Sequence, residues 1–488
     1  MLTLMKKEVL YMEPLDFGYL AVKKIALTSA AKTAKLAKPI IPDAKPIKMK
    51  NAESDRFNVG FASCDITPAD IESHTYWMAG YRIAKKIRGV LDPLTASAMW
   101  IDCGDGQGMV LISCDLIGLT GYEVNELRRS LTEFCCVTGC RHITVSCTHT
   151  HAGIDTMGYW GVLPKSGKDK AYMLFIKQTL KNLCIKAYND RKPGKLFYGS
   201  LEAPELIHRW RQPYFANNTL HRLRFVPDDK STETWYINFG GHPNTLGGKN
   251  VLLSADYPCY MRREINRAKE TNILFSISTI GATDIGDVAE NDLDRTIIGG
   301  TMLGKKVLDI KKERQLKPDI TVISQNFVMP IDNTTLAAAE AAHIFSSRKC
   351  PAESDVGIGF ISELTYIRID DVQILTMPGE TFSELVYPGG YTDAEHSTTG
   401  EGAEVNSTPI CEIFGDDNLI IFGVTNDMAG YALTPNEFLL HETQPYISRA
   451  KDRFGRNHYH ETNSCGIRTG HVMADAARKI VEIRDKNK

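Results

Sequence analysis

The segment His142-Ile-Thr-Val-Ser-Cys-Thr-His-Thr-His-Ala-Gly153 places two imidazoles one residue apart. Read as a strand, its alternate residues point to one face, so Ile143, Val145 and Cys147 share a side with His149 and His151. The first three suit a buried face. The two histidines emerge where the strand runs out into Ala152-Gly153. Two nitrogen bases at that place fit a metal ion or a proton relay. The spacing also fits one hydrogen-bonded histidine beside an exposed one.

The elements that must position these groups recur along the chain. Apolar strands are predicted at 109–114, 142–147, 235–239, 273–279, 372–376 and 419–424. Helices are predicted at 122–134, 171–188, 255–269, 297–314, 336–347 and 472–484. This alternation points to α/β layers around a central sheet. Each predicted strand runs into a segment that carries a ligand or a proton carrier. These are Asp115, His149 with His151, Gly240-Gly-His242, Gly281-Ala-Thr-Asp-Ile-Gly-Asp287, Pro378-Gly-Glu380 and Thr425-Asn-Asp-Met-Ala-Gly-Tyr431. Ligands of open α/β sheets bind beyond the carboxyl ends of strands. The polar stretch from Gly389 to Thr408 reads as a long loop.

Composition excludes several classes. A net charge of −2 over 488 residues argues against a general nucleic-acid binder. No run approaches the roughly 18–20 apolar residues of a membrane-spanning helix. The first fifty residues carry ten lysines against four acids. They read as a solvated basic arm, or one that packs on a neighbouring subunit, and 38–46 reads as a proline-stiffened linker. The expected organisation is an arm and linker over residues 1–54 and one large domain over 55–488. The chain begins without a secretory signal pattern, so its twelve cysteines read as reduced, largely buried thiols in a cytoplasmic protein.

Several motifs together carry a resemblance. They are Val59-Gly-Phe-Ala-Ser-Cys-Asp-Ile-Thr-Pro68, Met78-Ala-Gly-Tyr81, Ser146-Cys-Thr-His-Thr-His-Ala-Gly153, Ile237-Asn-Phe-Gly-Gly-His-Pro243, Gly286-Asp-Val288, Pro378-Gly-Glu380 and Tyr431-Ala-Leu-Thr-Pro-Asn-Glu-Phe438. In this order, across most of residues 57 to 470, the chain resembles the catalytic domain of the neutral/alkaline non-lysosomal ceramidases. The resemblance implies a mixed central sheet flanked by helices. It also implies a zinc hydrolase that cleaves an N-acyl amide bond. By motif position, His149, His242, Glu380 and Tyr431 would be the zinc ligands, and His151 would sit beside the metal water. Arg209 would lie near the reacting carbonyl, with Arg211 the lesser candidate. Asp287 or Asp115 would orient an imidazole.

The chain departs from that pattern in three ways. Where the family commonly continues Gly-Asp-Val with a serine, this chain has Ala289. A serine nucleophile is therefore unavailable, whereas a zinc-bound hydroxide is not. The β-sandwich domain that follows in many relatives is not expected here. A basic arm stands where secreted relatives carry a signal peptide. The expected activity is zinc-dependent cleavage of a ceramide-like or smaller, more polar N-acyl amide. Hydroxide on zinc would attack, Arg209 would stabilise the oxyanion, and His151 would protonate the leaving amine. The alternative is a metal-dependent isomerase, epimerase or lyase on the same scaffold. The expected partners are a small-molecule substrate, no nucleic acid, and a second copy of the chain held through the arm.

Overall fold

The computed structural model describes residues 14–211, 215–390, 398 and 407–487. Its strands form two large sheets. One runs in the order Thr271–Ile277, Glu233–Phe239, Thr219–Pro227, Lys192–Glu202, Phe57–Asp65, Thr95–Asp102, Gly108–Cys114, Cys140–Cys147. The second runs Ile47–Lys50, Asp319–Ile331, Ile358–Ile369, Val372–Thr376, Ile420–Phe422. Both are mixed. Gly108–Cys114 pairs in parallel with Cys140–Cys147, and Val372–Thr376 with Ile420–Phe422, while most other neighbours are antiparallel.

Side-chain alternation explains the layering. Along Thr95–Cys114, residues Ala98, Trp100, Val110 and Ile112 point to a core shared with Leu127, Leu180, Leu183 and Leu303 of the outer helices. Their neighbours Met99, Ile101, Met109 and Leu111 point the other way, onto Val322, Ile367, Ile374 and Phe422 of the second sheet. That sheet's far face carries Leu364, Tyr366 and Ile421 against Met473, Ala477 and Ile480 of the helix Thr469–Lys486. The fold is mixed α/β with helices flanking the β-structure, as expected. That β-structure is two packed sheets where one was expected. A strand covered by helices on one face and by a sheet on the other is apolar throughout. Its sequence does not say which kind of layer lies on either side.

The described part of the N-terminal segment, from residue 14, differs from the expected solvated arm. The helix Pro14–Thr33 buries Ala26 in the same outer core as Ala337 and Ala338 of the helix Thr334–Ala341. Ile47–Lys50 adds an edge strand and buries Met49 between the sheets. The helix expected at 122–134 divides into Gly121–Ser130 and Thr132–Thr138 at Leu131. Of the loop expected at 389–408, residues 391–397 and 399–406 lie outside the described residues. Among the described residues, no helix is long and apolar enough to cross a membrane.

The two sheets are locked where strands from each end side by side. Cys147 donates its N–H to the Val424 carbonyl, and Asn426 donates to Val145. The Asn426 Oδ1 accepts the Val145 N–H at 2.8 Å. Arg128 spans the seam. It donates to the Ile143 carbonyl at 3.0 and 2.7 Å and forms a two-pronged pair with Glu363 at 2.7 and 2.9 Å. Asn426 Nδ2 donates to the same carboxylate at 2.8 Å. Burial alone would raise the Glu363 pKa, but the Arg128 guanidinium outweighs it and holds the carboxyl at about 2.

Removing one member of such a pair leaves a buried charge uncompensated. Arg128→Met should lower stability by about 3–5 kcal/mol in urea unfolding. A carboxyl held low in the folded state stabilises fully above its unfolded value near 4.5 and loses that contribution as pH falls toward 2. The wild-type chain should therefore lose on the order of 3 kcal/mol across that window through this group. Glu363→Gln should show a correspondingly flatter acid limb.

Candidate metal centre

Four chain segments deliver the side chains of one buried cluster. The strand Cys140–Cys147 ends two residues before His149, which takes a left-handed φ of +65°. That turn breaks the strand alternation. Ile143, Val145 and Cys147 face the outer helices, whereas His149 and His151 turn toward the end of the sheets. His149 is held by its own N–H on the Leu116 carbonyl and by Nδ1 on the Ile117 carbonyl at 2.5 Å. A ring that donates from Nδ1 presents the lone pair of Nε2. His151 donates its backbone N–H to the Pro243 carbonyl at 2.9 Å, which fixes it to the loop that carries His242. Glu380 and Tyr431 lie opposite each other in a short parallel pair, Glu380–Thr381 with Tyr431–Ala432.

The separations are short. His151 Nε2 lies 2.9 Å from His242 Nε2 and 3.3 Å from His149 Nε2. His149 Nε2 is 3.3 Å from Glu380 Oε1, and His242 Nε2 is 3.9 Å from Glu380 Oε2. Ligands about 2.0–2.2 Å from one tetrahedral zinc lie roughly 3.3–3.6 Å from each other. These four separations scatter around that of a coordination shell. Glu380 Oε2 and His151 Nδ1 are buried and have no hydrogen-bond partner. Nitrogen lone pairs turned toward each other beside an unsatisfied carboxylate oxygen are a costly arrangement that a divalent cation relieves. The residues fit the ion that the sequence reading called for.

Electrostatics prepare the site for a cation. Burial, followed by the neighbouring histidines, pushes His242 well below the usual imidazole range. Burial, then His149 and Lys85, does the same to His151. Both rings are thus neutral and able to act as ligands near neutral pH. Tyr431 is hydrogen-bonded with Glu380 and Tyr459, and burial with the Glu380 charge raises its phenol well above the usual range. The cluster sits in the wall of a cavity of about 660 Å3. Away from the histidines the cavity is lined by Met157, Trp160, Leu336, Ile344, Phe345 and Phe360.

Not every residue singled out in the sequence arrives there. His149, His151, His242, Glu380 and Tyr431 converge. Arg209 does not line the cavity. Its guanidinium donates to Glu384 at 2.8 Å, to the Gly281 carbonyl at 2.6 Å and to the Arg211 carbonyl at 2.9 Å, and it lies over the Phe382 ring. Arg211 is held in the same way by Glu461, His458 and His460. Both arginines are committed to buried carboxylates behind the wall, which corrects their expected place at the reacting carbonyl. Asp287 is exposed on a turn and also misses the cavity. Asp115 pairs with Arg262 and accepts from Thr148 at 3.2 Å. It braces the strand end before His149 and, among the described residues, bonds no imidazole ring. The carbonyl of Ile117 does the orienting expected of these carboxylates.

Sequence reasoning missed Tyr459, which bonds Tyr431 and stacks on His460 with ring centroids 4.0 Å apart. Nothing in the spacing of His458-Tyr-His460 marks it. Tyr81 lies in a quoted motif but was given no role. It packs edge-on against His151 at 5.2 Å, and its hydroxyl donates to the Asn244 carbonyl at 2.7 Å.

Gly80 supplies a test of the geometry. It has φ +108°, and a Cβ there would lie 2.6 Å from the His151 ring. Gly80→Ala should displace that imidazole and lower zinc affinity by at least about ten-fold, read by competition with a chromogenic chelator. An alanine variant with unchanged affinity would mean that the groups holding the ion need no support from the neighbouring His151 ring.

No family model matches the sequence, and no curated protein matches it. Solved structures do. The chain is similar to the crystal structure of neutral ceramidase from Pseudomonas aeruginosa, at 15% identity and a TM-score of 0.63. It is also similar to a ceramidase complexed with C2, at 16% identity and a TM-score of 0.64. Each alignment covers 88% of this chain and 75% of the other. The resemblance drawn from the motifs thus returns in the three-dimensional comparison, and the chain has the fold of the neutral ceramidases.

Proposed function

We propose that the protein is a zinc-dependent amidohydrolase that cleaves an N-acyl amide. The observation that supports this reading best is the convergence of His149, His151, His242 and Glu380, each 2.9–3.9 Å from two of the others, in the wall of a largely apolar cavity. His149, His242 and Glu380 would hold the ion, with the Tyr431 oxygen as a further donor. Zinc, when bound, supplies a Lewis acid and lowers the pKa of water toward 7.

The chain's own residues account for the other requirements. His151 is neutral and adjacent, so its ring can take the proton of the attacking water and pass it to the leaving nitrogen. Arg209 and Arg211 are occupied by Glu384 and Glu461, which leaves the phenol of Tyr459, at the cavity wall, to donate to the developing oxyanion. Ala289 in place of serine is consistent with attack by water. The apolar part of the cavity would take the acyl chain. The twelve unbridged cysteines support a reducing, cytoplasmic setting.

Three measurements test this. His149→Ala and His242→Ala should each lose bound zinc, and cleavage of an N-acyl amide in heavy-oxygen water should place one label in the product acid. Stoichiometric zinc in both variants would remove the site. Zinc-loaded protein that converts a substrate without taking up label would point to isomerase or lyase chemistry. Along a homologous acyl series, kcat/KM should rise by roughly three- to four-fold per methylene until the cavity is filled. A flat series would indicate a polar substrate.

A further inference from the structure

Two loops form the rim of the cavity. Tyr81 and Ile83 lie on one, Trp160 and Leu163 on the other, and all four line the opening. The Ala84 N–H donates to the Trp160 carbonyl at 2.9 Å, which ties the loops together. Their apolar tips face water: Tyr81 is 42% exposed, Ile83 52%, Val162 53% and Leu163 52%. A cluster of large apolar side chains held open to solvent at one site costs solubility and marks an interaction surface.

The two loop segments themselves carry charges of one sign. The run Tyr81-Arg-Ile-Ala-Lys-Lys-Ile-Arg-Gly-Val90 has four cations and no acid, and Trp160-Gly-Val-Leu-Pro-Lys-Ser-Gly-Lys168 has two cations and no acid. Lys85 is used internally, on the Gly248 carbonyl, and Lys168 pairs with Glu123. Arg82, Lys86 and Lys165 remain exposed, and none pairs with a carboxylate among the described residues. This local excess stands out on a chain of net charge −2.

We propose that the loops 81–86 and 160–165 are a docking surface for an anionic lipid bilayer. Apolar tips flanked by cations match the boundary between headgroups and acyl chains, where the tips enter and the cations meet lipid phosphates and carboxylates. Because the same residues line the opening, docking would turn the cavity toward the acyl region, and an amphiphilic substrate could pass inward without crossing water. The surface is defined by its own side chains, so its test does not depend on the proposed reaction.

The full chain is sedimented with vesicles of phosphatidylcholine alone and with vesicles in which a third of the lipid is phosphatidylserine. Wild type should bind the second and not the first, and binding should fall steeply between about 0.1 and 1 M salt. Each cation near such a leaflet contributes roughly five-fold in partition. The combined Arg82→Glu, Lys86→Glu and Lys165→Glu variant should therefore lose at least about a hundred-fold. Val162→Asp should weaken binding with an unchanged thermal transition, and a Lys186→Glu, Lys312→Glu control on exposed sites elsewhere should bind as wild type. Failure of wild type to bind anionic vesicles, or equal loss in the control, would overturn the proposal. So would binding that survives the rim changes but is lost with Lys23→Glu and Lys24→Glu on the N-terminal helix. Lipid-free self-association abolished by Val162→Asp, with vesicle binding intact, would assign the surface to a second copy of the chain instead.

Discussion

The molecule depends on a seam between two sheets that are built from distant parts of the chain. Arg128, Glu363 and Asn426 close it, joining residue 143 of one sheet to residue 363 of the other and to the loop after residue 424. Charged and amide groups here do what an apolar contact cannot, because hydrogen bonds of fixed direction set the register of two strand ends. The loop with His149 leaves one side of this seam, and the loop with Tyr431 leaves the other. Small errors in sheet packing would otherwise separate groups that must lie about 3 Å apart.

The cost of the site is visible around it. Three ring nitrogens and a carboxylate are drawn together with two buried polar atoms unsatisfied. Left-handed backbone at His149 and an unfilled Cβ position at Gly80 keep the rings in place. Behind the wall, Arg209 with Glu384 and Arg211 with Glu461 form a second layer of buried pairs. That layer backs Phe382 and His460, against which Tyr431 rests. The residues of the cluster thus lean on others that never reach the cavity, so the geometry of the cluster and the stability of the core are shared property in this fold.

Much of this was legible in the chain. All six predicted strands and all six predicted helices correspond to observed elements, with shifted ends, because apolar runs and helical periodicity are local properties. His149, His151, His242, Glu380 and Tyr431 converge because each follows a strand that ends at the same rim. Arg209, Arg211 and Asp287 were placed by analogy of position. Where a long flexible cation points depends on which carboxylate it finds, and that carboxylate is more than a hundred residues away in sequence.

The amino-acid sequence by itself determined the alternation of strands and helices, the donor types and their order, because burial pattern and side-chain chemistry are written residue by residue. Tertiary structure alone decided that the strands divide into two sheets, that Pro14–Thr33 and Ile47–Lys50 pack onto the body, and that Tyr459 rather than Arg209 faces the cavity. Each of these follows from contacts between segments far apart along the chain, and the energy of such a contact depends on both surfaces at once.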